Sequence, residues 1–251
     1  MNQENKSLIQ ILICSDSTAL PRGTFVGVES ILPEILLGQL KSEFPRHKFI
    51  LINSSQGGIK VDRILELIQH DYPYFYTDKY MNENLKTVII LSIGVVDGSP
   101  QPITYKLKFI SKIPYLGVPA WSAIKKILVK SRPSIQKIWK YTPTKLNKFR
   151  NKLKFIKGIF ESYQGIILIV DTPEPHPSLQ RRSPGIHKSI RQFNSAKQSI
   201  FENQDNFIIV NIKEFDGESY ISAQDGHHYS IKGHKTMANM VFKKIENAVV
   251  E

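Results

Sequence analysis

The sequence predicts an α/β domain, a three-layer α/β/α sandwich in which helices cover both faces of a parallel five-stranded sheet. Three observations lead to this prediction. Short apolar runs alternate with longer segments of helical periodicity, the pattern of strands joined by crossover helices. The chain has 251 residues, enough for one large domain. Its excess positive charge is concentrated in one segment, which is therefore predicted to be a basic helical insertion.

The strands are predicted from short runs rich in Ile, Leu and Val, which suit strands that are buried on both faces. They cover residues 8–14, 48–53, 87–94, 165–171 and 206–212. Helices are predicted where apolar residues recur every three or four positions. These helices cover residues 28–44, 61–70, 186–201 and 231–249. Pro33 fits the first helix because proline is tolerated near a helix start.

The charge is distributed unevenly along the chain. The 34 Lys and Arg residues against 22 Asp and Glu give a net charge of +12. Residues 98–160 contain fifteen basic residues and no acidic one, so the rest of the chain carries a net charge of −3. This asymmetry indicates an anionic partner that is contacted through one region of the molecule.

The basic segment is predicted to be a helical lid at about 99–162, inserted into a single domain that spans residues 1–251. A stripe of apolar residues at helical spacing runs through Leu146, Phe149, Leu153, Ile156 and Phe160, and a second helix is predicted around Trp121. The lid can simply pack on the main domain with its lysines in water. It can also dock on an anionic membrane surface or on a phosphate-rich substrate. Nucleic acid is a weaker candidate, because the sequence contains no recognisable base-stacking module.

Several classes of protein are excluded or disfavoured by composition. A single cysteine, Cys14, excludes an internal disulfide and a multi-cysteine metal site. No cleavable signal peptide and no run of eighteen apolar residues are visible. We therefore expect a cytoplasmic protein, one that the basic segment can bring to the inner membrane.

Polar or glycine-rich loops follow the predicted strands. They contain Ser15-Asp16-Ser17, Gly57-Gly58, Gly94-Val95-Val96-Asp97 and, after the fifth strand, Asp225-Gly226-His227-His228. Parallel strands end at one edge of a sheet, where ligands collect. These loops are therefore predicted to bring together a hydroxyl nucleophile, backbone N–H donors, a carboxylate and an imidazole.

Four loops in this order resemble the four sequence blocks of the SGNH hydrolases, the GDSL esterase/lipase superfamily. The resemblance implies that Ser17 is the nucleophile, that the glycine of the second block is Gly58, with Gly57 as the alternative register, and that Asp225 and His228 complete a triad. It implies no cofactor and no metal. The Gly-x-x-Asp form of the third block resembles members linked to bacterial surface polysaccharides. The implied activity is an O-acyl esterase, with acetyl as the acyl group, or an O-acyltransferase, and the implied partner is a carbohydrate ester or acyl acceptor.

The chemistry of these residue types agrees with the resemblance. A serine hydroxyl is a poor nucleophile unless a base lies within hydrogen-bond reach. His228 can accept the proton of Ser17, and Asp225, three residues earlier, can hold the imidazole in the useful tautomer. The backbone N–H groups of Ser17 and Gly58 can then stabilise the tetrahedral oxyanion.

The third block departs from the family pattern. It is usually Gly-x-Asn-Asp and supplies an asparagine amide, whereas the polar side chain here is Asp97, which only accepts hydrogen bonds when ionised. Asp97 can be protonated by burial and donate, or it can turn away and fix the loop, or the protein can be a weak or silent relative. We favour the role in fixing the loop.

Other residues have competing interpretations. Arg22 follows the nucleophile closely and can bind a substrate carboxylate or phosphate, or it can be an ordinary surface arginine. His228 is preferred to His227 on spacing alone, and adjacent histidines are not expected to point at one metal ion. The rival function is a catalytically silent module that binds an anionic or lipid-linked glycan or a membrane surface.

Overall fold

The computed structural model describes residues 7–22, 25–73, 85–100, 117–131, 133–134, 142–163, 165–212 and 215–249. Within these ranges, five parallel strands form one sheet in the order β2-β1-β3-β4-β5. The strands are β1 (Leu8–Ser15), β2 (Lys48–Asn53), β3 (Leu85–Ser92), β4 (Ile166–Val170) and β5 (Phe207–Val210). The predicted parallel five-stranded sheet is confirmed.

The pairing register aligns the carboxyl ends of the central strands. Ser15, the last residue of β1, lies opposite Ser92, the last residue of β3, and Ser92 lies opposite Val170 at the end of β4. The third strand ends two residues earlier than predicted. The backbone turns at Gly94, whose φ of 119° is unfavourable for any residue with a side chain.

Helices cover both faces of the sheet. One face packs against α1 (Leu32–Glu43) and α8 (Ile231–Val249). The other face packs against α2 (Val61–Glu66), α5 (Leu146–Ile159) and α7 (Ile186–Phe201). Two short helices, α3 (Val95–Gly98) and α6 (Pro177–Arg182), follow β3 and β4. The remaining helix, α4 (Gly117–Lys130), lies within the predicted insertion.

Side chains of the strands alternate between two buried clusters. On β1, Ile9, Ile11 and Ile13 belong to the cluster with α1 and α8, whereas Leu12 and Cys14 belong to the cluster on the opposite face. Both clusters are closed to solvent, which explains why the strands read as continuous apolar runs.

Two predicted helices have different bounds in the structure. The predicted helix over 28–44 is divided into a 3-10 turn, Val28–Ser30, and α1, with Pro33 in the first turn of α1. The predicted helix over 61–70 becomes the α-helix α2 followed by a π-helical turn, Leu67–Asp71. The predicted helices over 186–201 and 231–249 have the bounds that the structure shows.

Helix α5 carries the apolar stripe of the basic segment into the core. Phe149, Leu153 and Ile156 are buried among residues of the sheet and of α7. On its outer side, Lys148 and Lys152 form ion pairs with Asp62 of α2, with N–O distances of 2.7 and 3.4 Å. Residues 101–116, 132 and 135–141 of the predicted lid lie outside the described residues.

No helix in the described ranges combines the length and the apolar content that crossing a membrane requires.

We expect Leu153→Ala to lower the free energy of unfolding by about 2–5 kcal/mol, because the substitution leaves a cavity in the core beneath α5. The measurement is urea denaturation of the full chain. The matched control is Phe155→Ala on the same helix, where the side chain is 54% exposed and the expected loss is well under that of Leu153→Ala. Equal losses for the two variants would contradict the packing of α5 described here.

Candidate active site

Ser17 lies immediately beyond the end of β1, at the edge where the parallel strands finish. The Asp16 N–H donates to the carbonyl of Ser92 over 3.2 Å, which fixes the chain at the ends of β1 and β3. The Asp16 carboxylate accepts from the Thr18 N–H over 2.9 Å and caps the 3-10 turn Ser17–Ala19. Asp16 thus anchors the turn that presents Ser17.

Ser17, His228 and Asp225 form a hydrogen-bonded line. The Ser17 Oγ lies 2.7 Å from the His228 Nε2, and the His228 Nδ1 lies 2.7 Å from the Asp225 Oδ2. The Ser17 and His228 side chains are buried, so bulk water does not separate them. The structure therefore brings together the three residues that the sequence analysis assigns to a triad.

The Asp225 carboxylate is held by its own loop. Its Oδ1 accepts hydrogen bonds from the backbone N–H groups of His227 and His228, each over 3.1 Å. Partial burial opposes the charged carboxylate, but these bonds and the His228 ring outweigh burial and hold the pKa of Asp225 well below its ordinary value. Asp225 therefore stays ionised beside the imidazole.

Gly226 allows this loop to pack closely against the wall of the site. Its φ is 85°, and a Cβ at this position would lie 2.4 Å from the Cβ of Leu179 in α6. A residue with a side chain would therefore force α6 and the Asp225–His228 loop apart.

The second block supplies backbone N–H groups at the pocket. Gly57 and Gly58 both line it together with Ser17, and a Cβ at either glycine would meet open space. Gly58 has a φ of 73°, a conformation that favours glycine. Among the described residues, neither the Ser17 N–H nor the Gly58 N–H has a hydrogen-bond acceptor, so both are available to a ligand.

Asp97 is buried and does not line the pocket. One carboxylate oxygen accepts from the Val61 N–H at the start of α2 over 3.0 Å, and the other accepts from the Thr144 hydroxyl ahead of α5. Burial raises the pKa of Asp97 to about 6, although both hydrogen bonds act in the opposite direction. The side chains of this block that line the pocket are Val95 and Val96.

A buried lysine that no sequence motif indicates lies behind the third block. The Lys197 Nζ donates to the carbonyls of Ile93 and Val170 over 3.1 and 2.8 Å, so it joins the ends of β3 and β4. Complete burial lowers the pKa of Lys197 to about 8, and nearby carboxylates, Asp171 first, oppose that change. Its position on the buried face of an amphipathic helix was the only available sequence signal.

The pocket has a volume of about 700 Å³ and opens over Ser17. Its walls come from the loops already described and from α6 and the start of α7, including Leu179, Arg182 and Ile186. Arg22 lies inside it: the Arg22 Nη2 donates to the Ser17 carbonyl over 3.3 Å and contacts the His228 Nε2. The pocket thus combines an apolar wall with two guanidinium groups.

Asp225, His227 and His228 place three potential metal ligands within 4.8 Å of one another. The loop folds the His227 and His228 rings to a centroid distance of 4.0 Å, so adjacency in sequence does not keep the two rings apart. Both ring nitrogens of His228 are already engaged, one by Asp225 and the other by Ser17. The arrangement matches the hydrogen-bonding pattern of a triad.

Cys14 and His234 are buried residues outside the triad. Cys14 is buried, and burial raises the pKa of its thiol to about 12, so it stays protonated and unreactive. His234 is buried, and its Nδ1 accepts from the Leu32 N–H at the start of α1 over 3.2 Å. Burial lowers the pKa of His234 to about 4, which keeps the ring neutral and able to accept this bond.

Solved structures resemble this chain in fold, whereas sequence comparisons find no match. No protein-family model matches the chain, and no curated protein sequence is significantly similar to it. Solved structures do match. A lipase/acylhydrolase from Enterococcus faecalis has a TM-score of 0.58 and 12% sequence identity over 95% of each chain. The acetylxylan esterase Axe2 from Geobacillus stearothermophilus has a TM-score of 0.59 and 15% identity over 97% of this chain and 96% of that chain.

A third match is the psychrotrophic esterase EstA from Pseudoalteromonas, with a TM-score of 0.56 and 15% identity over 96% of this chain and 99% of that chain. Because the matches cover almost the whole of both chains, the likeness extends over the entire domain. At these identities it shows the fold alone. The predicted three-layer α/β/α fold is confirmed.

Proposed function

We propose that this protein is a serine-dependent O-acyl esterase or O-acyltransferase that acts on a carbohydrate, with acetyl as the acyl group. The observation that carries the proposal is the line of hydrogen bonds from Ser17 through His228 to Asp225. Structural neighbours named as an acetylxylan esterase and as a lipase/acylhydrolase support an ester substrate. The Gly-x-x-Asp form of the third block supports a bacterial surface polysaccharide, or its precursor, as the carbohydrate.

In the first half of the reaction, the Ser17 Oγ attacks the ester carbonyl carbon while its proton passes to the His228 Nε2. The ester C–O bond then breaks, and His228 gives the proton to the leaving sugar oxygen. The product is an acyl-Ser17 ester. Asp225 remains ionised throughout and stabilises the imidazolium that forms between the two proton transfers.

In the second half, a hydroxyl group attacks the acyl-Ser17 carbonyl and His228 again moves the proton. Water as the attacking group makes the protein an esterase, and a second sugar hydroxyl makes it an acyltransferase. Both halves pass through a tetrahedral oxyanion, and the free N–H groups of Ser17 and Gly58 are the donors that we assign to it.

The third block adds no side-chain donor to this oxyanion hole. Val96 stands at the position of the family's asparagine, and its side chain has no hydrogen-bond donor. The Asp97 carboxylate accepts from Val61 and Thr144 instead. Losing one such donor costs about 2.7–4 kcal/mol of transition-state stabilisation. We therefore propose a two-donor hole, with Asp97 as the residue that ties α2 and the start of α5 to the loop after β3.

A second function, docking on an anionic membrane surface, is favoured by α4. Val118 and Ile127 of this helix are 71% and 65% exposed, and Trp121 is only half-buried. Lys126 and Lys130 are exposed on the same helix. None of the side chains of α4 whose burial is described is buried. An apolar and basic helix of this kind suits the interface between acyl chains and anionic headgroups.

Labelling with a fluorophosphonate tests the nucleophile. We expect wild type to be labelled on Ser17, and Ser17→Ala to lose labelling and to reduce acetyl-ester turnover by a factor on the order of 10⁴–10⁶. The control is Ser15→Ala, two residues away. This substitution removes a hydroxyl whose hydrogen-bond partner among the described residues is the Thr18 hydroxyl, and it should leave labelling intact. A well-folded wild type that is not labelled would favour the silent glycan-binding module.

Asp97→Asn tests the burial of an ionisable carboxyl. Because the folded pKa of about 6 exceeds the ordinary 3.8, the stability that protonated Asp97 confers is present below about pH 4 and is lost as pH rises through 6. Asparagine does not titrate. We expect the unfolding free energy of Asp97→Asn minus that of wild type to rise by about 2 kcal/mol from about pH 4 to about pH 7 in urea titrations.

The control for this measurement is Asp216→Asn. Hydrogen bonds from the Ser219 and Glu218 N–H groups lower the pKa of Asp216, so the corresponding difference should fall as pH rises. A difference for Asp97→Asn that is flat or falls with pH would show that Asp97 is not the buried, weakly acidic group described here.

Flotation with vesicles tests the docking of α4. We expect the protein to float with vesicles of phosphatidylcholine and phosphatidylglycerol at low salt, and to lose most of this binding at high salt. Ile127→Glu should reduce binding several-fold. Val28→Glu makes the same change at a 59% exposed aliphatic residue outside the insertion and should bind like wild type. No flotation at low salt would exclude the membrane function.

A further inference from the structure

We propose that the carbohydrate substrate carries a carboxylate or phosphate close to the scissile ester, and that Arg22 and Arg182 bind this anionic group. The inference rests on the proposed acyl-transfer function and specifies its substrate class. It comes from the charges that line the pocket over Ser17.

Arg22 is half-buried beside the nucleophile and has no acidic partner in the part of the chain that the structure describes. Its Nη2 donates to the Ser17 carbonyl and contacts the His228 Nε2, and its Nε is buried without an acceptor in the described part of the chain. A guanidinium group carries five N–H donors and no acceptor. Most of the donor capacity of Arg22 is therefore unused in the absence of a ligand.

Arg182 stands at the rim of the same pocket in a fixed orientation. Its Nε donates to the carbonyl of Ser178 over 3.2 Å, and its Nη2 donates to the carbonyl of Asp225 over 3.1 Å. These acceptors are neutral, and no carboxylate in the described ranges lies within ion-pair distance of Arg182. The positive charge is thus positioned but not neutralised.

Two arginines outside the pocket have carboxylate partners. Arg63 pairs with Glu66, and Arg191 pairs with Glu174. Of the described residues that line the pocket, Asp225 alone has a carboxylate, and it is already bonded to the His228 ring and to two backbone N–H groups. Among the described residues, therefore, neither guanidinium group of the pocket has an ion-pair partner, and an anionic ligand would supply the matching negative charge.

The chemistry of the guanidinium group selects the ligand. Its planar fork matches the paired oxygens of a carboxylate or phosphate, and such charge-assisted bonds are about twice as strong as neutral ones. A neutral sugar offers only hydroxyl groups. An acidic sugar places its anion near its own ester groups, within one pocket of about 700 Å³.

Binding of the anion also affects the base. Arg22 and the Ser17 hydroxyl both contact the His228 Nε2. Nε2 has a single lone pair, so the guanidinium competes with the Ser17 hydroxyl for it. An anion that draws the Arg22 guanidinium to itself leaves the lone pair to Ser17. The substrate charge then favours proton transfer as well as binding.

The test compares matched acidic and neutral probes. The first pair is an O-acetylated methyl glucuronoside and its neutral uronamide; the second is an O-acetylated methyl glucoside with and without a 6-phosphate. We expect wild type to prefer the anionic member of at least one pair by about ten- to a hundredfold in kcat/KM, and the favoured pair identifies carboxylate or phosphate. Arg22→Gln and Arg182→Gln should each bring that preference close to one.

The matched control is Arg181→Gln, which removes the neighbouring exposed arginine that does not line the pocket and should keep the preference. Wild type without a preference for either anion, or a preference that survives in both Arg22→Gln and Arg182→Gln, would overturn the inference.

Calorimetry on Ser17→Ala separates this inference from the proposed catalysis. The deacetylated glucuronoside and glucose 6-phosphate, each with its neutral counterpart, are titrated into this variant, which binds without turnover. Tighter binding of an anion that Arg182→Gln abolishes supports the anionic site even where fluorophosphonate labelling of wild type fails. Equal binding of anionic and neutral sugars overturns the site even where labelling succeeds.

Discussion

The site depends on the parallel arrangement of the five strands, because it makes separate stretches of chain end at one edge. Ser17 and His228 are 211 residues apart in sequence, yet their reacting atoms are 2.7 Å apart. The hydrogen bond from the Asp16 N–H to the Ser92 carbonyl continues the pairing of β1 with β3 one step beyond Ser15. The position of Ser17 thus follows from the register of the sheet.

The ends of the strands also create a demand for polar partners, because their last carbonyls are buried. Lys197 donates hydrogen bonds to the carbonyls of Ile93 and Val170. Asp97 satisfies a group of the opposite kind, because its carboxylate accepts from the Val61 N–H at the start of α2. Both Lys197 and Asp97 are ionisable side chains that are buried. They hold the loops at the catalytic edge in place without entering the pocket.

Much of this organisation could be predicted from the sequence. The strands are predicted from continuous apolar runs, because both of their faces are buried. The long helices are predicted from apolar residues that recur every three or four positions. The loops that carry Ser17, Gly58 and Asp225–His228 are recognisable because each follows a strand and carries chemically distinctive residues. Their convergence needs only the rule that parallel strands share a carboxyl edge.

The remainder depends on contacts that no local pattern encodes. Asp97 bonds to Val61 and Thr144, which lie 36 and 47 residues away in sequence. Only the tertiary structure brings these three residues together. The sequence around Lys197 does not distinguish it from other lysines on amphipathic helices. Its burial follows from the packing of α7 against the sheet, where its Nζ donates to the Val170 carbonyl. Arg182 reaches the pocket because α6 packs against Gly226, a contact between loops that follow different strands.

The loop that carries Asp225 and His228 has a consequence for how such a protein can diversify. The acid and the base are three residues apart, and they bond directly to each other and through the loop's own backbone, so no distant stretch of chain is needed to bring the two together. The sheet has to position only Ser17 next to the Asp225–His228 pair. Segments between them, such as α6 and the basic stretch, can therefore change through evolution and give new specificity while the proton-transfer machinery is inherited intact.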